Sequence, residues 1–600
     1  MATIKKEKST EKKEQKLEKI LLLPILFLTT LYLFGVRVRL VSTYVGDQFW
    51  HMGGDQAGDL YGYFRMQMLL LVTVVFMLFL IACIATGGVK LQKHKVYIPM
   101  AIYSVMVLLS YAFSAHKEIA LFGYLSRYEG TVSLLCYMAL IFYTMHAIGS
   151  EKGVRLIVRC FAVACLVLGT WGILQTRGIR LSALPDWLYI PASFRENAQM
   201  SQNMVTTAVN WFFSNQNYTS FFMVFPIGIF SLGCVAEEDF KKKLLYAVLT
   251  CLMLFNLWQS ASLGGMVGLA VAFVVALLVV GVENLKKWRK SIGLLFLAAV
   301  VSVAASLPVI LREVQSGTAF GKLFNVDVAY ATEMPPAESF QFEEIDYIKT
   351  EGLDVIFAFD GEEFRVKTDG NAVIGIIDAS GKDVTDRQNL LWADTYIDED
   401  SGYPIVAVRT ARVTWNFVLA DGQSYFITPS GKTIQLDRVE SMGFEEHQSF
   451  ATYRGYIWSR TLPLLKDTLL LGHGADTFPM YFPQDDYAGR YNIAYYNDAK
   501  NIIIDKPHNL YLATAVNTGV ISLVELLAIY VIYLIESVKI YRKHEFIGFM
   551  DYIGLGIFVA IAGYMISALV NDGTVQMMPL VYVFLGMGFA INRMIRNREK

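Results

Sequence analysis

Twelve runs of apolar residues, each close to the length of a bilayer crossing, constrain this chain more than any other feature. They lie near 20–36, 66–88, 96–114, 131–149, 156–174, 218–236, 244–259, 264–282, 291–311, 510–535, 551–570 and 576–592. A hydrocarbon core of ~30 Å takes ~20 such residues per helix, and a backbone away from water must close its own hydrogen bonds. The composition agrees, with 54% hydrophobic residues and only 18% charged, where soluble domains carry ~25% charged. A disordered protein, a collagen-like fibre and a plain cytosolic enzyme are excluded. What remains is a membrane all-α fold, a polytopic bundle of about 12 transmembrane helices. The first run reads as a span and not a cleaved signal, because Arg37 and Arg39 stand where small residues would mark cleavage.

Charge between the runs orients them. Lys and Arg cluster in the N-terminal tail (Lys5 to Lys19), at Lys90/Lys93/Lys95, Lys152/Arg155/Arg159, Lys241–Lys243, Lys286/Lys287/Arg289/Lys290, Lys539/Arg542/Lys543 and Arg593/Arg596/Arg598/Lys600. Every second junction is basic, which the positive-inside rule reads as cytoplasmic. Both termini are then cytoplasmic, as basic tails at 1–19 and 593–600, and spans 1–9 occupy 20–311. The segments 37–65, 115–130, 175–217, 260–263, 312–509 and 571–575 face outward. Polar chemistry is expected on that face, with Glu525, in the tenth span, an exception.

The outward stretch 312–447 differs from everything around it. Over 313–447, 25 Asp and Glu stand against 10 Lys and Arg, a balance of −15, so the rest carries +14 within a whole-chain charge of −1. Short alternating runs at 354–359, 363–367, 372–378, 413–420, 424–428 and 433–436 are separated by Asp360-Gly361, Ser380-Gly381, Asp421-Gly422 and Ser430-Gly431, which are hairpin signals. The segment is expected to be a small antiparallel β domain inserted between spans 9 and 10. It reads as a recognition or spacer module that can be excised over about 320–445. All six cysteines lie within apolar runs, so no disulfide framework holds it.

Residues 448–509 form a second outward region, followed by spans 10–12 over 510–592. Tyr-Arg-Gly-Tyr-Ile-Trp-Ser-Arg at 453–460 has a helical period. Gly472-His473-Gly474 then lets backbone come close to a neighbour. Tyr481, Tyr487, Tyr491, Tyr495 and Tyr496 suit either stacking on sugar rings or an interfacial belt. Lys506-Pro507-His508-Asn509 opens the tenth span. His508 is equally a general base or a residue that ends a loop. Asp47, Asp55 and Asp59 with His51, and Asp485-Asp486, are ordinary turn and loop acids before they are metal ligands.

The order of these motifs resembles the O-antigen ligase and O-antigen polymerase superfamily of integral membrane glycosyltransferases. The resemblance rests on Arg127-Tyr-Glu-Gly130 before the fourth span and on Asn215-Gln-Asn-Tyr218 before the sixth, with Pro226. It continues through Arg454, Trp458, Leu465, Gly472-His473-Gly474 and Phe478, and through His508-Asn-Leu-Tyr-Leu512 with Gly519. It runs from about 130 to 535 and skips 316–447. It implies an undecaprenyl-diphosphate-linked glycan as donor, an acceptor glycan or lipid, and transfer or polymerisation at the outer face of a bacterial cell membrane. His508 is then the catalytic base. Arg454, Arg460, Arg127 and Arg195 hold the donor diphosphate, and Gly472, His473, Gly474 and Asn509 shape the loop. Neither a metal nor another cofactor is implied, and nucleic acid is not a partner. The 312–447 insert, most of which the resemblance skips, is expected to recruit or orient the acceptor or an envelope partner. One position departs from the family: Leu263, in Ser260-Ala-Ser-Leu-Gly-Gly265, stands where an arginine is expected, so that one phosphate contact is either missing or supplied by Arg127, Arg177, Arg180, Arg195 or Arg460. A lipid-linked glycan transporter and a non-catalytic assembly protein are the alternatives. No clear internal repeat supports the first.

Overall fold

Backbone that satisfies itself in lipid is helical, and most of this chain is. The computed structural model describes residues 15–42, 56–185, 188–189, 209–315, 341–342, 344–386, 391–399, 401–411, 413–428, 431–444, 447–493, 503–542 and 544–599. Among the described residues nine helices are long and apolar enough to cross a membrane. These are Gln15–Phe34, Tyr63–Ala85, Glu151–Thr176, Gln216–Ala236, Leu263–Val280, Arg289–Leu311, Val520–Tyr541, Phe549–Val570 and Met578–Glu599. Tyr97–Phe113 and Thr131–Ala147 are apolar but shorter, at 17 residues each. Phe240–Gln259 opens on three lysines.

The expected tenth run, 510–535, is not one helix. It divides at Gly519 into Leu510–Thr518 and Val520–Tyr541. Gly519 has φ +102°, and a Cβ there would lie 2.7 Å from the Leu470 carbonyl oxygen. Val520 N instead donates to Thr468 O at 3.0 Å, so an adjoining loop enters the break. Apolar periodicity cannot register such a break, because both helices are apolar.

The Gln216–Ala236 helix is buried nearly all round and packs on Phe549–Ser567. A Cβ on Gly228 would sit 2.8 Å from Gly556 O, so small residues let these backbones meet. The junctions sort to two ends. At one end Arg593 donates to Met145 O and Ile148 O, Asn284 to His544 O, Lys243 to Ser291 Oγ, and Ser150 Oγ to Glu18. The basic junctions thus gather together. At the other end Val575 N donates to Arg127 O, and Gln576 Nε2 to Ser126 O and Ser214 Oγ.

The acidic segment forms two antiparallel sheets. One carries β3 (Tyr347–Glu351), β4 (Asp354–Phe359), β5 (Glu362–Thr368) and β6 (Val373–Asp378) in sequence order. The other has the order β11-β10-β9-β8-β7, from β7 (Trp392–Ile397), β8 (Pro404–Arg409), β9 (Thr414–Ala420), β10 (Gln423–Ile427) and β11 (Thr433–Ile434). A separate hairpin pairs β1 (Arg39–Ser42) with β2 (Gln56–Asp59). Asp360-Gly361 and Asp421-Gly422 have positive φ at both positions, which two-residue hairpins of this twist require. The sheets share one core, with Phe357, Phe364 and Val366 facing Trp415, Phe417 and Phe426. That core also takes in Tyr487, Ala488 and Tyr491 from beyond residue 447. Asn492 exchanges two hydrogen bonds with the Ile345 backbone, at 2.9 and 2.8 Å. Cutting out 320–445 would therefore uncover these residues. Tyr487 and Tyr491 are core side chains, not sugar platforms, and Tyr495 and Tyr496 lie outside the described residues.

Candidate active site

Leu510–Thr518 is started by Asn509, whose side-chain oxygen accepts from Tyr511 N at 2.9 Å and Leu512 N at 3.0 Å. This is the ordinary reason for Asn at a helix start. His508 precedes the cap with φ +52°, a sparsely populated conformation for a residue with a side chain. Two contacts bracket it. Trp458 Nε1 donates to Pro507 O at 2.8 Å, and Asn509 N donates to Asp572 Oδ1 at 3.2 Å. Asp572 Oδ2 then lies 3.4 Å from His508 Nδ1, an ion-pair contact more than an aligned hydrogen bond. The His508 side chain is 31% exposed and Asp572 4%. Burial holds the imidazole below its ordinary value; Asp572 opposes this, and Lys506 and Arg454 reinforce it. With Nδ1–H turned to Asp572, Nε2 keeps a lone pair for a substrate proton.

Arg454 lies beside this pair. Its Nε donates to Val570 O at 3.0 Å, and its Nη1 to Ala451 O at 2.7 Å and Thr452 Oγ1 at 2.6 Å. Ala451, Thr452 and Tyr453 all have positive φ, and the regular helix to Thr461 begins after them. No carboxylate is within ion-pair distance of Arg454 among the described residues. Its partners fix the guanidinium without cancelling its charge. The turn at 260–265 is adjacent: a Cβ on Gly264 would lie 3.2 Å from Val570 Cγ2, and Ser567 Oγ donates to Gly264 O. Leu263 therefore places its apolar side chain on a helix that begins next to Arg454.

The other arginines sit differently. Arg127 is buried between two acids, with Nε and Nη2 2.8 and 2.7 Å from Asp476 Oδ1 and Nη1 2.5 Å from Asp505 Oδ2. Arg460 is buried against Asp486 at 2.8 Å and lies over the Tyr456 ring. Both were expected at the donor phosphate; both are already committed to carboxylates. Asp486 also caps the short helix Tyr487–Asn492. Arg195 lies outside the described residues, as do Asp47, His51 and Asp55. Asp59 is buried and accepts from Gly62 N and Tyr63 N, starting the Tyr63–Ala85 helix. Gly472 and Gly474 let the loop run against the end of Leu510–Thr518. A Cβ on Gly472 would meet Asn517 backbone at 2.3 Å, and Gly474 has φ +121°. His473 stacks on Tyr481 at 3.7 Å.

Sequence reasoning missed Asp572 and Glu129. Asp572 sits in the seven-residue junction between the helices ending at Val570 and beginning at Met578, where an acid with no local purpose was the available signal. Glu129 accepts from Tyr137 OH at 2.5 Å, and burial pushes its carboxyl up to about 8. It borders a cavity of ≈ 50 Å³ shared with Arg127, Asp505, Lys506 and Asp572.

Fold and site together define a multi-pass membrane protein with a histidine, a carboxylate and an arginine that has no ion-pair partner among the described residues, all at one end of its bundle. A family model described as O-antigen ligase matches residues 407–527. That match contains Arg454, Arg460, Gly472-His473-Gly474, His508 and Asn509, and it supports membership of the O-antigen ligase superfamily. It begins inside the β region, where the sequence resemblance had skipped. No curated protein and no solved structure matches the chain.

Proposed function

We propose that this chain is a glycosyltransferase of the cell membrane that moves a glycan from an undecaprenyl-diphosphate carrier to an acceptor hydroxyl on the outer face, or polymerises repeat units there. The observation that carries this reading is the His508–Asp572 pair beside Arg454. An acceptor hydroxyl placed on Nε2 loses its proton to the imidazole as its oxygen bonds to the anomeric carbon. The bond from that carbon to the lipid diphosphate breaks, and the electron pair leaves with the phosphate. Arg454, held by Val570, Ala451 and Thr452 through Nε and Nη1, presents Nη2 and its positive charge to that oxygen. Asp572 keeps Nδ1 protonated and steadies the imidazolium that forms. The loss of the acceptor proton fits a histidine held below its ordinary value, because the base must be neutral to act.

The basic end of the bundle faces the cytoplasm on this reading, both termini with it, and the β domain stands outside to recruit the acceptor. The test is transfer by purified protein in detergent from a synthetic lipid-diphosphate oligosaccharide to a soluble acceptor glycan. Product from wild type and none from His508→Ala is the expected result. A donor left intact by wild type, under conditions where the protein moves it across vesicles, would replace this reading with the transporter.

A further inference from the structure

We infer that Lys506 is the second cation that holds the donor diphosphate, working with Arg454 across His508. The inference deepens the proposed function and rests on it. A diphosphate carries more charge than one guanidinium matches, so the site needs another positive group within reach. The described candidates can be taken in turn. Arg127 has its fork filled by Asp476 and Asp505, at 2.5 to 2.8 Å, and its Nη2 also donates to the Asp505 carbonyl at 2.9 Å. Arg460 is closed by Asp486 and Ser459. Neither can turn to a ligand without leaving a buried acid unpaired, which is strongly unfavourable.

Lys506 is in a different condition. Its ammonium has three donors, and its contacts are long: Tyr218 OH at 3.4 Å and Asp505 Oδ2 at 3.9 Å. That same Asp505 oxygen is held at 2.5 Å by Arg127, which also pairs with Asp476, so Lys506 shares in balancing Asp505 only at the longer distance. The lysine side chain is 18% exposed, and it lines a cavity shared with Pro507, Arg127 and the carboxyl groups of Glu129, Asp476, Asp505 and Asp572. Two residues along the chain, His508 has Lys506 and Arg454 as its neighbouring positive charges. The Tyr218 ring, 5.8 Å from Nζ, keeps the stem in place without competing as an anion.

The experiment measures binding of inorganic diphosphate, with monophosphate as comparison, to the purified full chain in detergent by calorimetry. Lys506→Met should weaken diphosphate binding roughly 10- to 100-fold, the range for a lost charge-assisted contact. Lys506→Arg should retain most of it, and Arg454→Ala with Lys506→Met should abolish saturable binding. A merely structural lysine that neutralises Asp505 predicts otherwise: Asp505→Asn combined with Lys506→Met would then restore binding, and that result overturns the inference. Binding by Lys506→Met within about twofold of wild type overturns it too. If Arg454→Ala loses diphosphate while Lys506→Met does not, this inference fails and the proposed function stands. If neither variant changes binding, both fall. Should Lys506→Met not fold, lysine acylation of wild type read by mass spectrometry decides. Diphosphate protecting Lys506 supports the assignment, and equal labelling with and without diphosphate refutes it.

Discussion

Among the described residues two histidine–aspartate pairs stand at opposite ends of the bundle, and they do different things. At the basic end His544 lies 3.3 Å from Asp551 Oδ2 through Nε2 and 3.1 Å from Glu599 Oε1 through Nδ1. Asp551 also accepts from Arg598 and from the Ile547 and Gly548 amides. Both imidazole nitrogens face carboxylates, and the side chain is 4% exposed. This is a clamp between a loop and the C-terminal helix. At the other end His508 offers one nitrogen to Asp572 and leaves the other uncommitted, at 31% exposure. Residue type is the same at both ends. The fate of the second nitrogen separates a brace from a base.

The largest test of that contrast is to remove each imidazole. His508→Ala should lower glycan transfer ~10²–10⁴-fold, the usual contribution of a general base. His544→Ala should keep the rate per folded molecule and lower the thermal midpoint. Equal losses of rate would erase the distinction. Arginines sharpen it next. Arg454→Ala should lose transfer comparably and weaken donor binding, and Arg454→Lys should rescue little because an ammonium cannot keep the Val570, Ala451 and Thr452 contacts and also face the phosphate. Arg460→Ala should instead destabilise by about 3–5 kcal/mol, the cost of a broken buried pair, with the donor KM of folded protein unchanged.

A smaller effect tests the aspartate. Asp572 raises the His508 imidazole against burial and two cations. Asp572→Asn should therefore lower the rate and move the acid limb of the pH–rate profile to lower pH. Arg454→Lys should leave that limb nearly where it is, since the charge remains. A limb that rises in Asp572→Asn would refute the orientation of the pair. The smallest effect concerns stability. The Glu129 carboxyl is raised in the folded protein from 4.5 to about 8 by burial. Folding is thus progressively disfavoured as pH rises through that window, and unchanged beyond it. Glu129→Gln should flatten this loss in denaturant titrations from pH 5 to 9; an unchanged slope would mean the acid is ionised when folded.

Apolar run length and the alternation of basic junctions are local properties, and they fixed the helical class and which junctions share an end. Asp-Gly pairs likewise determined the hairpins of the β domain, because that turn needs positive φ at both positions. His508 and Arg454 were legible as motif residues. Other features depended on contacts between residues 26 to 378 positions apart. The break at Gly519 follows from the loop at Leu470 that enters it. Tyr487 and Tyr491 joined the β core because the chain returns to it after the Arg454 helix. Arg127 and Arg460 look like Arg454 in sequence, and only the placement of Asp476, Asp505 and Asp486 spent their charge. Asp572 became a partner of His508 because folding brought a short junction to a histidine 64 residues earlier. Pattern specifies what a segment is; whether a charge is free for chemistry depends on what tertiary packing sets against it.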